Sequence, residues 1–284
     1  MIESAAHCLR LTRILSAIAE ANVGQPINER LANAESLAVK FISHCISAQA
    51  LCRGTRLQEL KADFTDPTSI NVIIRAALES VLTFYYLFAA TSDEDELNFR
   101  HDAWMLADLM ARQEFTPTSE EGRRKLAEES AFIERLQVKL RANRVFAALT
   151  PKQQNGVLFK QRWKMAGWAE IGKEMGLDEN HADTFYSYLC SYAHSGYLSV
   201  LQVQQARTAD AQKLLVAGSL GVLTIAMAHM IRLFSTVFPR CADALKQIPE
   251  AEPLIQMWIT VGASTMGSDA ASGSGVASAS PERD

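Results

Sequence analysis

At 284 residues, with 48% hydrophobic and 21% charged content, the chain is long enough to bury a sizeable core. Its formal net charge of -4 argues against wholesale binding to nucleic acid or to an anionic membrane, and any basic surface must be local. The five cysteines, Cys8, Cys45, Cys52, Cys190 and Cys241, are scattered with no C-x-x-C pair, which fits buried thiols in a reducing cytoplasm.

Residues 3 to 22 read as an amphipathic helix stopped by Gly24-Gln25-Pro26, with no signal peptide in its pattern. The next helix starts near Asn28 and ends before Gly54, with Leu37, Phe41, Ile42 and Cys45 on its buried stripe and His44 on its flank. After a linker, Asp66-Pro67 opens a nearly all-apolar helix from Ile70 to Ala90. Arg75 and Glu79 interrupt it four residues apart, on one face. Burying an ion pair is expensive, so this seam is expected to meet polar partners on another helix.

The acids from Asp93 to Glu96 suit the start of the following helix, where the dipole favours negative charge. Ser119 or Thr118 caps one long polar helix running to Leu149, with Glu120/Arg124 and Glu121/Lys125 as supporting pairs. Thr150-Pro151 restarts a helix, and another ends at Gly176. His181 to Gln205 reads as one helix that Ser195-Gly196 loosens. Asp210 to Phe238 is a long apolar helix, followed by two short ones. From Gly262 the composition turns to low-complexity Gly, Ala and Ser, which predicts a disordered tail over 263–284. No sustained period-two pattern occurs, so the expected fold is all-α: one bundle of about eight to ten helices over residues 1–262. The two most apolar helices each carry charged or polar interruptions, Arg75 and Glu79 or His229 and Arg232, and are expected in the core instead of spanning a membrane.

Two constellations could carry function. Arg75, Glu79 and His194, with Ser187, Ser191, Tyr188 and His44 as a surrounding polar network, could hold an anion and move a proton, or could simply fix helices in register. From Arg135 to Lys164 the chain has no acidic residue, and Arg141, Arg144, Lys160, Arg162 and Lys164 with Trp163 could track a phosphate backbone and stack a base. The alternative is a solvated face compensated by the acids between Asp93 and Glu134. Neither H-E-x-x-H nor a phosphate-binding glycine loop is present, and neither a metal nor a cofactor is expected.

The stretches SLAVKFISHCISAQALC, INVIIRAALESVLTFYYL and ADTFYSYLCSYAHSGYL resemble an uncharacterised bacterial all-helical family, a domain of unknown function. Its pattern pairs an R-x-x-x-E helix with a later Tyr/Ser-rich helix closing on a histidine, here Arg75, Glu79, Ser191 and His194. That family is in turn somewhat similar to HEPN helical domains, some of which are dimeric ribonucleases of toxin or antiviral systems with an Arg and a His separated by four to six residues. That spacing is lacking here, since the residues four to seven before His194 are Cys190, Leu189, Tyr188 and Ser187. Two functions follow as expectations: a non-enzymatic, cytoplasmic, homo-oligomeric interaction protein, or a HEPN-like enzyme directed at RNA or another phosphate-bearing ligand.

Overall fold

The computed structural model describes residues 2–57 and 62–264. The fold is all-helical apart from one short hairpin. Its helices are α1 (Ile2–Glu20), α2 (Glu29–Cys52), α3 (Pro67–Phe84), α4 (Glu94–Gln113), α5 (Glu120–Ala142), α6 (Arg144–Ala147) and α7 (Pro151–Phe159). They continue as α8 (Trp168–Met175), α9 (Glu179–Ala193), α10 (Tyr197–Gln205), α11 (Ala209–Val237), α12 (Pro239–Lys246) and α13 (Ala251–Ala263).

Local chemistry fixes most boundaries. The side chains of Asn28, Asp66, Ser119 and Thr150 each accept a backbone N–H of the turn they open, and Pro67 and Pro151 occupy first-turn positions where a missing N–H costs nothing. Thr150 and Gln153 complete a reciprocal capping box. The linker after α2 contains an antiparallel pair, β1 (Thr55–Leu57) and β2 (Ala62–Phe64), with Arg56 opposite Asp63. Three residues per strand are too few for an alternating pattern to register in the sequence.

At the centre α3 and α11 lie side by side. α2 and α9 flank α3, and α1 and α13 cover α11. Phe84 meets Phe234 at 6.1 Å between ring centroids, and Ile70, Ile74, Leu82, Leu223 and Ile231 are buried along the two helices. Each such side chain contributes about 1.5–3 kcal/mol by leaving water. α3 runs on into a single π-turn over Tyr85–Ala89, closed by Ala90 N–H donating to the Tyr85 carbonyl. α4 to α7 enclose a second apolar cluster around Phe99, Leu106, Leu136, Leu140 and Phe146, and Trp163 packs against both clusters.

Two helices that the sequence suggests are continuous are broken. Asn143 ends α5 because its side chain accepts from Val145 N–H and donates to the Asp95 carbonyl, an alternative to the helical ladder. The supporting ion pairs on α5 are also shifted, to Glu120 with Arg123 and Glu128 with Arg124. The second break lies after Ala193. Gly196 N–H donates to the Ser191 carbonyl at 2.7 Å and Ser195 takes φ 53°, the geometry of a helix-terminating motif. A Cβ on Gly196 would stand 2.7 Å from Ser191 Oγ and 3.3 Å from the Ser191 backbone, so a larger residue there would turn the serine hydroxyl away from Ser199 N–H.

The two helices long and apolar enough to cross a membrane, Pro67–Ala89 and Ala209–Val237, are largely buried inside the fold. α13 extends through the expected domain edge: Gly262 is buried and its carbonyl accepts from Asp178 N–H at 2.9 Å. The remainder of the expected tail, from residue 265, lies outside the described residues.

Candidate functional site

Arg75 and Glu79 project from α3 toward α9, where Tyr186 and Cys190 have the same four-residue spacing. The four side chains close a polar node between the helices. Arg75 Nη2 pairs with Glu79 Oε1 at 2.8 Å and donates to Tyr186 Oη at 3.3 Å, and Tyr186 O–H donates to Glu79 Oε1 at 3.0 Å. Arg75 Nε donates to Cys190 Sγ at 3.3 Å. The node is half-buried, with Arg75 and Glu79 side chains 21% and 28% exposed.

Burial works against the Arg75 charge, but hydrogen bonds to Cys190 and Tyr186 and the Glu79 carboxylate outweigh it and hold the guanidinium above its ordinary range. Burial, with Cys190 and Glu79 adding to it, pushes the Tyr186 phenol up to about 12, so it stays a hydrogen-bond donor at neutral pH. Among the described residues Arg75 Nη1 has no protein hydrogen-bond partner. Because the pair is partly solvated and Arg75 keeps two other acceptors, Glu79→Ala is expected to cost about 1 kcal/mol in chemical denaturation. A loss above 3 kcal/mol would require a fully desolvated pair.

His194 stands apart. It caps α9, its residue surface is exposed, and its ring makes no hydrogen bond among the described residues. Ser187 and Asp183 are also exposed. Ser191 Oγ accepts from Ser199 N–H, and Tyr188, Tyr192 and Gln202 form a hydroxyl-to-amide relay, so these groups tie α10 to α9. His44 sits on α2 with Nε2 buried and unpartnered, and burial together with Lys40 lowers its pKa.

The node continues into a file of rings and cations. Tyr186 lies 6.4 Å from Trp168, Trp168 5.9 Å from Trp163, and Trp163 5.8 Å from Tyr86. Lys164 Nζ stands 4.5 Å over Trp168 and Arg100 4.3 Å over Tyr86. Burial lowers the Lys164 pKa, with Arg162 adding to this and Glu79 opposing it. Tyr186 and Trp168 were not among the residues singled out from sequence. Only the shared i, i+4 spacing of Tyr186 with Cys190 hinted that they form one face.

The basic stretch divides. Lys139 pairs with buried Asp102 at 2.9 Å, and Arg144 with Asp93 and Asp95, so acids from α4 and its cap neutralise those two. Arg141, Lys160 and Arg162 are exposed with no acidic partner within 4 Å among the described residues. Arg162, Trp163 and Lys164 line a shallow cavity of about 350 Å³ in the loop between α7 and α8. Among the described residues no group of three or more His, Cys, Asp or Glu side chains is arranged to hold a metal.

The model of a family described as "Family of unknown function (DUF5677)" matches residues 35–210, more than half of the chain. The chain belongs to this family. The DUF5677 span begins within α2, ends at the start of α11, and contains the whole Arg75 node, the basic stretch and α10. Most of α11, which fills the core, lies outside it. No curated protein and no solved structure gives a significant match.

Proposed function

We propose that this DUF5677 protein is a non-enzymatic helical interaction protein that acts as a cytoplasmic homo-oligomer. The observation that carries the reading is the closure of the Arg75 node. Glu79 accepts from both Arg75 and Tyr186, Tyr186 is held protonated, and His194 lies outside the contacts, so the cluster is built as a clamp between α3 and α9. Both bonds end on Oε1, and protonating Glu79 would discharge the partner that Arg75 holds at 2.8 Å, which favours a clamp over a general base. The expected result is a mass above that of one chain in sedimentation equilibrium at micromolar concentration. A clean monomer across the accessible range would overturn the oligomer reading.

One observation favours a second reading, a HEPN-like RNA- or phosphate-directed enzyme: His194 is open to solvent, and Lys160 and Arg162 are exposed cations. In that reading His194 is the general acid/base, Arg75 Nη1 the anion clamp and the basic loop the substrate track. It expects RNA cleavage by wild type that His194→Ala abolishes while binding persists. Equal inertness of the two proteins toward RNA, with and without added divalent metal, would leave the interaction protein standing.

A further inference from the structure

We infer that the outer face of α10 is the seam at which a second copy of this chain seats; this rests on the self-association reading. α10 is inverted relative to a solvent-facing helix. Its one buried residue is polar, Ser199, whose hydroxyl is committed to the Gly196 carbonyl at 2.7 Å, while Tyr197 is 80% exposed and Leu198, Val200 and Val203 are also exposed. The termination motif after Ala193 produces the inversion, because it re-aims the chain and turns apolar residues outward.

On α11, Leu214 is 65% exposed and Gly218, one turn further along the same side of that helix, is exposed as well. Four large apolar side chains exposed on one nine-residue helix mark an interaction site, with Tyr197 as its natural anchor.

Charge selects the occupant. From His194 to Ala206 no residue carries a formal charge, on a chain with net charge -4. Two copies repel each other elsewhere, but this face can meet its own image with no like charges opposed and no ion to desolvate. A two-fold contact uses the same residues twice, so a helix about 13 Å long supplies twice its own apolar surface to the interface. The nearest charges along the chain lie beyond α10, Arg207 in the following turn and the exposed Lys213–Asp210 pair at the start of α11.

The test uses the full chain with Val200→Glu, and Ile46→Glu as a control on the exposed face of α2. Both positions are more than half exposed, so folding is retained, as circular dichroism would check. Val200→Glu is expected to weaken the dimer at least about tenfold in sedimentation velocity, and Ile46→Glu to leave it unchanged. Amide exchange in α10 should slow as wild-type concentration rises. A dimeric wild type that Val200→Glu does not weaken overturns this seam and leaves the self-association reading intact, whereas a monomeric wild type removes both. Binding of monomeric wild type to phosphatidylcholine vesicles, lost in Val200→Glu, would assign the face to lipid and also overturn the proposal.

Discussion

Lowering the pH from 7 to 4 is expected to remove about 3 kcal/mol of folding stability through one side chain, His229. It lies on α11, 5% exposed, with Nε2 buried and unpartnered, and burial lowers its pKa from 6.5 to about 4. The imidazole sits under two glycines: Cβ atoms built on Gly176 and Gly262 would stand 3.8 Å from Cε1 and Nε2 respectively. His181 on α9 is the neighbouring titratable group, its Nδ1 3.2 Å from the Gly262 carbonyl. No carboxylate pairs with His229 among the described residues, so nothing offsets the cost of charging it. The unfolded chain takes up the proton near pH 6.5 and the folded chain only near 4, so stability is complete above 6.5 and is lost as pH falls between those values. His229→Leu should make that part of the melting-temperature profile shallower, leaving the share due to His44, whose pKa burial also lowers, and the carboxylate-driven loss at lower pH. An unchanged slope in the variant would mean that Nε2 reaches water or another proton partner.

How much of this protein could be read from its residues depended on the range of the interaction. Asn28, Asp66-Pro67, Ser119 and Thr150-Pro151 open helices because each acts on N–H groups two or three residues away, so their effect is written locally. Arg75 and Glu79 were legible as a seam for the same reason, and membership of the family was carried by that helix and the Tyr/Ser-rich one. Their partners on α9 were not. Reading 181–205 as one helix put His194 on the face of Cys190, but Ser195 in the left-handed region stops the helix before the histidine and points it outward. Serine rarely adopts that conformation, so its identity gives no warning. The same stop conceals the α10 surface, since an apolar stretch in a continuous helix is read as core. Asn143 hides its break in the same way, because the Asp95 carbonyl that holds it lies 48 residues away.

Replacing Asn71 by Leu is expected to cost about 2–3 kcal/mol, and adding Ser219→Ala is expected to recover a substantial part of it. Asn71 is fully buried on α3 and Ser219 is 1% exposed on α11, so neither can turn to water. Ser219 Oγ donates to Asn71 Oδ1, while Asn71 Nδ2 donates back to the Pro67 carbonyl at 2.7 Å, joining the two central helices to the first turn of α3. Leucine shares the branching of asparagine but is the larger side chain, and the Pro67 carbonyl keeps the residue-71 N–H of the helical ladder, so the cost comes from the orphaned Ser219 hydroxyl and from crowding at a fully buried site. Ser219→Ala removes the orphan and leaves the crowding, and the double variant should therefore lie about 1 kcal/mol above Asn71→Leu. Ser219→Ala alone strands Asn71 Oδ1 and should cost about 1–2 kcal/mol. Urea denaturation of the four proteins closes the cycle. Strict additivity of the two single changes would show that the hydroxyl and the amide do not share a bond, and that apolar packing alone holds α3 against α11.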